Sequence, residues 1–259
     1  MSIRTATLGN ASFGQADFTP EASRLLDGRT CECCDTDLAL TSAGPVVVYR
    51  DRAADEARDI SIVRRIEESW TAPLSISKDD WRIEGCPVNG PEVAAAGDRV
   101  VVAWFTAGPG DADEPRPPRV LVATSDDAGA TFSSPMVISE STLGRVDLAM
   151  LPGGDAVVCW VDLEPFEETN TGEAAGTPDD GVAGSIMVRR VRRDGTLGPI
   201  QPIASMDLGR RAGFPRLAIL PPDERTGAGA DMLVAWRDET NPGLRTPVSY
   251  THLTLPTKA

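Results

Sequence analysis

Lysine and histidine are almost missing from this sequence. It has two lysines, Lys78 and Lys258, and one histidine, His252, against 39 acidic residues, and a net charge of −14 over 259 residues. Such a field repels nucleic acid and anionic membranes, so neither is expected as a partner. The positive charge that remains is nearly all arginine, whose planar fork suits carboxylates. Also lacking is any apolar run of the roughly 20 residues that a helical membrane span needs. Val100–Phe105 is typical of the short runs present. Met1–Phe18 has no basic start followed by an apolar stretch, so no secretory leader is expected in the sequence as written. A misassigned start would look the same, which leaves an exported location open. Cysteine occurs in an odd number, five, so the thiols cannot all pair within the chain.

The end of the chain stands apart from the rest. Val248-Ser249-Tyr250-Thr251-His252-Leu253-Thr254-Leu255-Pro256-Thr257 reads, in one frame, as the translation of a transposase sequencing adapter. Residues 247–259 are therefore taken as foreign to the fold and are expected to form no strand. The natural sequence is expected to run to about Thr246 and to continue past it. This reading removes His252 from any mechanism and leaves Tyr49 as the sole native tyrosine.

What is present is a repeat. Asp37-Leu38-Ala39-Leu40, Glu92-Val93-Ala94-Ala95, Asp147-Leu148-Ala149-Met150 and Arg216-Leu217-Ala218-Ile219 align with one another. Each is followed by a turn signal and a strand-like run ending in an aromatic residue: Tyr49, Trp104, Trp160 and Trp236, spaced 55, 56 and 76 residues apart. Polar insertions at 163–184 and 222–231 account for the long last interval. A third element (59–65, 119–125, 185–191) and a fourth (74–77, 136–139, 201–204) complete the first three units. Four short strands per unit at a fixed period predict an all-β fold, a β-propeller of four-stranded antiparallel blades. A β-sandwich would also space its strands regularly, but it needs no self-similarity. The blades are placed at about 35–77, 90–139, 145–204 and 214–246, after an N-terminal extension or partial outer strand over 1–30. About three and a half blades are expected here, from a ring of about six.

Between the third and fourth strands of the second unit lies Ser125-Asp126-Asp127-Ala128-Gly129-Ala130-Thr131-Phe132. Asp127 can accept backbone N–H bonds, Gly129 can take a positive φ, and Phe132 can pack between sheets. Ser125, Asp127, Gly129, Thr131 and Phe132 match the Asp-box, S-x-D-x-G-x-T-F/W. With Val47–Arg52, Gly85–Pro91 and Gly213–Arg216, this segment makes residues 30–246 resemble the sialidase-like, Asp-box-repeat propellers. The resemblance implies a carbohydrate-active propeller, with exo-glycosidase action on an acidic sugar as the activity to expect. It also implies that the Asp-box is structural, on the face opposite the active site. The early F/Y-R-I-P motif of true sialidases is missing, and no tyrosine nucleophile beside a glutamate can be found. A non-catalytic propeller binding a glycan or a protein is therefore the rival reading.

In a propeller, the connections into first strands and out of second strands emerge on one face, and here they are the polar ones. Asp37, Glu92 and Asp147 start three first strands and are the candidate catalytic carboxylates, with Arg216 in the fourth position. Strand starts beside a water-filled channel are also simply polar. Arg50, Arg52, Arg58, Asn89, Arg145, Arg216 and Arg237 are candidates for holding the substrate, because paired forks clamp a carboxylate. The plainer alternative has these arginines paired with neighbouring aspartates as scaffold. Cys31, Cys33 and Cys34 lie in one loop, and Cys86 precedes Val93 by the seven residues that separate Cys31 from Leu38. They are read as a disulfide between blades, a thiolate metal site or free thiols, although C-x-C-C is no standard zinc spacing. No cofactor is expected beyond that metal. Cys159, beside Trp160, reads as core.

Overall fold

A computed structural model describes residues 1–7, 23–83, 85–108, 117–140, 142–163, 183–207, 213–220, 230–237 and 249–254. Among them there is no helix, and so none long and apolar enough to cross a membrane. β1 (Ile3–Thr5) and β2 (Arg24–Asp27) pair as a small ribbon. The first sheet contains β3 (Asp37–Thr41), β4 (Gly44–Arg50) and β5 (Ile60–Ile66), with β6 (Ser69–Trp70) and β7 (Leu74–Ser77) both on β5. The second runs β8 (Glu92–Ala96), β9 (Arg99–Thr106), β10 (Arg119–Ser125) and β11 (Met136–Glu140). The third runs β12 (Thr142–Met150), β13 (Ala156–Asp162), β14 (Ala183–Val191) and β15 (Leu197–Asp207). The fourth holds β16 (Arg216–Ile219), β17 (Asp231–Trp236) and β18 (Ser249–Thr254). All pairs are antiparallel, and all but β5–β7 join chain neighbours, the meander expected of a blade.

Strand periodicity explains the stacking. Val100, Val102 and Trp104 of β9 pack with Val46, Val48, Ile60 and Ile62 of the first sheet. The intervening Val101 and Ala103 turn the other way, onto Val146, Leu148, Val158 and Trp160 of the third. Val157, Cys159 and Val161 then face Met232 and Val234 of the fourth. Successive side chains alternate between faces, so a sheet covered on both sides reads as a continuous apolar run. That is why Val100–Phe105 shows no polar alternation.

The repeat holds in register as well. Ala39, Ala94, Ala149 and Ala218 pair with Val46, Val101, Val157 and Leu233, and in each sheet the aromatic lies three residues further along that second strand. The chain is a propeller whose innermost strands carry the four alanines. Trp104, Trp160 and Trp236 each pack toward the preceding sheet. Tyr49 has no preceding sheet. It is buried beside the N-terminal ribbon instead, where its hydroxyl donates to Asp27 Oδ2 at 2.8 Å.

One expectation fails. The adapter-like tail was expected to form no strand, and the second strand of the last sheet to end unpaired near Trp236. Instead β18 pairs with β17 from Asp231↔Thr254 to Trp236↔Ser249. Ladder bonds come from backbone, and an open edge accepts any β-compatible segment; Ser-Tyr-Thr-His-Leu-Thr is rich in strand formers.

The Ser125–Phe132 segment closes β10 onto β11. Asp127 accepts from Thr131 N at 2.9 Å and from the Thr131 hydroxyl at 2.7 Å, and Ser125 Oγ takes Gly129 N at 2.9 Å. Gly129 sits at φ +80°. The bonds from Thr131, then Ser125, hold the Asp127 carboxyl down to about 2. Phe132 packs against the core between the first two sheets.

Candidate functional site

Asp37, Glu92 and Arg216 open their inner strands, whereas Asp147, expected to do the same, lies inside β12 because that strand begins earlier, at Thr142; all four still occupy equivalent register positions. Asp37, Glu92, Asp147 and Arg216 pair with Val48, Ala103, Cys159 and Ala235, each one residue before the conserved-pattern aromatic. The two aspartates do the same work. Asp37 Oδ1 caps Leu38 N at 2.7 Å while Oδ2 reaches Val93 N of the next sheet at 2.8 Å. Asp147 Oδ1 caps Leu148 N at 3.0 Å while Oδ2 reaches Leu217 N of the next sheet at 2.5 Å. Both tie an inner strand to its neighbour.

Glu92 is longer by one methylene and departs from this pattern. It is buried and receives Arg216 Nη1 at 3.3 Å. Burial, then the charges of Asp37 and Asp147, push Glu92 up to about 8, against the pull of Arg216. Burial also raises Asp147, opposed by the N–H bonds from Leu217 and Leu148. Arg216 lies 3.7 Å from Asp147 and is 55% exposed. The column thus presents a buried carboxyl with a raised pKa beside an arginine open to solvent.

Most of the other arginines are spent inside the fold. Arg50 is fully buried and donates to three carbonyls: Asn89 O at 3.0 Å, Arg58 O at 2.7 Å and Phe105 O at 2.5 Å. Its guanidinium also lies over Trp81, 5.0 Å from the ring centroid. The sequence offered Arg50 to a substrate; the structure uses it to join the first two sheets. Asn89 takes Arg145 N on Oδ1 at 2.7 Å and gives its amide to Leu143 O at 3.2 Å. Arg145 reaches Gly213 O at 3.0 Å. Arg52 pairs with Glu32 at 2.7 Å and Glu56 at 2.9 Å, and buried Arg58 bonds Glu56 at 3.0 Å. Arg237 is exposed at the end of β17. Trp81 and Glu56 were missed in the sequence. Trp81 is a tryptophan outside the repeated aromatic positions, which was a usable signal; Glu56 gave none among so many acids.

The cysteines meet beside this scaffold. Cys33 and Cys86 form a disulfide with Cα atoms 6.0 Å apart. Cys31 and Cys34 are free, with sulfurs 2.8 Å apart, and Cys31 Sγ is 4.0 Å from Cys33 Sγ. Arg58 Nη1 points at Cys31 Sγ from 3.4 Å. The bond from Cys34, against burial and with help from Cys33 N and Arg58, brings Cys31 down to about 5; Cys34 is pushed up. A cleft of about 490 Å³ opens here, lined by Glu32, Cys33, Arg52, Glu56, Arg58, Gly85 and Cys86. Cys159 is buried in the core between the third and fourth sheets.

No protein-family model and no curated protein matches the chain. Solved structures do. The chain is similar to the phage phi92 endosialidase at 11% identity and a TM-score of 0.52, over 86% of this chain and 36% of that one. It also matches the leech intramolecular trans-sialidase solved with 2,7-anhydro-Neu5Ac (13%, TM-score 0.45, over 84% and 31%). A GH43_1 enzyme from Xanthomonas citri solved with xylotriose matches as well (12%, TM-score 0.47, over 88% and 71%). The chain spans about a third of the length of the endosialidase. The fold is that of a sialidase-like propeller.

Proposed function

We propose that this chain is part of a carbohydrate-active propeller that takes an acidic sugar at the mouth of its inner strands. The observation that carries the reading is the pair formed by Glu92 and Arg216: a buried carboxyl flanked by two other acids, which with burial push its pKa up, 3.3 Å from an arginine that is more than half exposed. Arg216 would receive the sugar carboxylate, and Glu92 would donate a proton to an oxygen of the ligand. Neighbouring acids in different protonation states are the usual arrangement for acid–base work. The class of ligand comes from the resemblance of the Ser125–Phe132 turn and its companion phrases, with the fold shared by an endosialidase. A second reading, binding without hydrolysis, is favoured by Asp37 and Asp147, whose oxygens are engaged by backbone N–H groups of the next sheet.

Saturation-transfer NMR with N-acetylneuraminic acid, and with galactose as the uncharged control, tests the proposal. Binding of the acidic sugar alone is expected. Arg216→Ala should weaken it at least about tenfold, the loss of one charge-assisted contact. Equal binding by Arg216→Ala and the parent would overturn it. A fluorogenic sialoside then separates the two readings, since only the first predicts turnover.

A further inference from the structure

The cysteine cluster supports an inference independent of the sugar reading. We propose that Cys31, Cys33, Cys34 and Cys86 form a four-thiolate site for a Zn(II)-class cation, opened by reduction of the Cys33–Cys86 disulfide.

Geometry is the first argument. In a tetrahedral thiolate site the metal–sulfur distance is about 2.3 Å, which sets the sulfurs roughly 3.8 Å apart. Cys31 and Cys33 already stand 4.0 Å apart, and the sulfurs of Cys31, Cys33 and Cys34 all lie within 4.8 Å of one another. Cys86 is bonded to Cys33, so reduction frees a fourth sulfur at the edge of the same cluster. The C-x-C-C spacing, unsuited to zinc by itself, ceases to be an objection once the fourth ligand comes from the next connection.

Charge is the second argument. Four thiolates around a divalent ion carry a net charge of −2, costly to bury without partners. Two buried arginines stand beside the sulfurs. Arg58 donates to Cys31 Sγ at 3.4 Å, and the charge of Arg50 acts on both Cys31 and Cys34. Arg58 Nε is also buried without an acceptor among the described residues. Such an orphan donor costs on the order of 1–3 kcal/mol, and it adds to the positive field beside the sulfurs. Supporting donors of this kind tune thiolate sites.

Access is the third. Cys86 is exposed and lines the cleft together with Cys33. A dithiol reductant can enter there, attack the disulfide and leave as its own disulfide, having passed two electrons and two protons to Cys33 and Cys86. As the ion binds, each cysteine still protonated releases its proton to solvent, so binding is coupled to pH and to redox state. The oxidised protein keeps the two sheets stapled covalently; the reduced, metal-bound protein keeps the same two segments joined through the ion.

The test uses the full chain, reduced with a phosphine under anaerobic conditions and titrated with Co(II). One equivalent should produce the sulfur-to-cobalt charge-transfer bands and the ligand-field bands of a tetrahedral thiolate, and Zn(II) should displace it. Protein with the disulfide intact should give neither. Cys86→Ser should weaken Co(II) binding by more than the roughly 10–100-fold that loss of an outer-shell partner costs, while Cys159→Ser should leave it unchanged. X-ray absorption of the Zn(II)-loaded parent, which needs no variant, should show four sulfurs at about 2.3 Å. Absence of the bands after reduction, equal binding by the oxidised protein, or nitrogen and oxygen in place of sulfur would each overturn the proposal.

Discussion

Glu92 concentrates the consequences of one methylene. At the same register position an aspartate reaches back to its own strand and across to the next, whereas the glutamate extends past both donors and meets Asp37 and Arg216. Its folded pKa, about 8, stands above the roughly 4.3 of an unfolded glutamate. Between these values the native state holds a proton that the unfolded state has lost, so stability is fully present below about pH 4 and falls as pH rises toward 8. The slope approaches about 1.4 kcal/mol per pH unit. Glu92→Gln keeps the shape and removes the titration. Thermal melts from pH 5 to 8.5 should show the parent losing stability relative to Glu92→Gln. Parallel curves would mean that Glu92 is ionised throughout. Nothing in the sequence announced this difference: Asp37, Glu92 and Asp147 formed one acidic column there. The same limit applied to Arg50, whose role depends on three carbonyls from distant segments that only folding brings together.

Connections between the elements are held by backbone approaches that tolerate no side chain. Gly90 lies against the loop that carries the cysteines. A Cβ built there would fall 2.6 Å from the carbonyl carbon of Asp35, and closer still to its oxygen. Backbone cannot step aside as a side-chain tip can, so Gly90→Ala must displace either the Cys31–Asp37 loop or the start of the second sheet. We expect a loss of at least about 2 kcal/mol in urea unfolding, within the range for overpacking. Gly97→Ala is the control: it has open space around it and only a φ of +61° to satisfy, which costs about 1–2 kcal/mol. A Gly90→Ala change smaller than that of Gly97→Ala would show that the loop yields freely. Strands themselves were readable because repetition states each one several times; in all four sheets the aromatic lies three residues past the alanine's ladder partner. Connections repeat less and insert freely, so Gly85–Pro91 could be placed on the polar face but not against Asp35.

For the molecule as a whole, stacking sheets face to face leaves an edge problem that closure normally solves. Here the outer edge of β17 is covered by β18, a segment whose residues read as adapter-derived. Met232 and Val234, both fully buried, pack toward the third sheet. Two effects are therefore separable. Removing 247–259 should leave the first three sheets intact, because β18 pairs in none of them. It should also bare the N–H and C=O row of β17 between Asp231 and Trp236, a template for pairing with another copy. Light scattering at matched concentration should show more self-association for the shortened chain. Thr251→Pro in the full chain should shift it in the same direction, since proline removes a ladder donor and bends the strand opposite Val234. Replacing the tail with an unrelated alternating Thr–Val segment should restore the parent's scattering, because the ladder reads backbone rather than side chains. If the shortened chain and Thr251→Pro both scatter as the parent does, β18 contributes nothing to covering that edge, and the expectation of a tail indifferent to the fold stands.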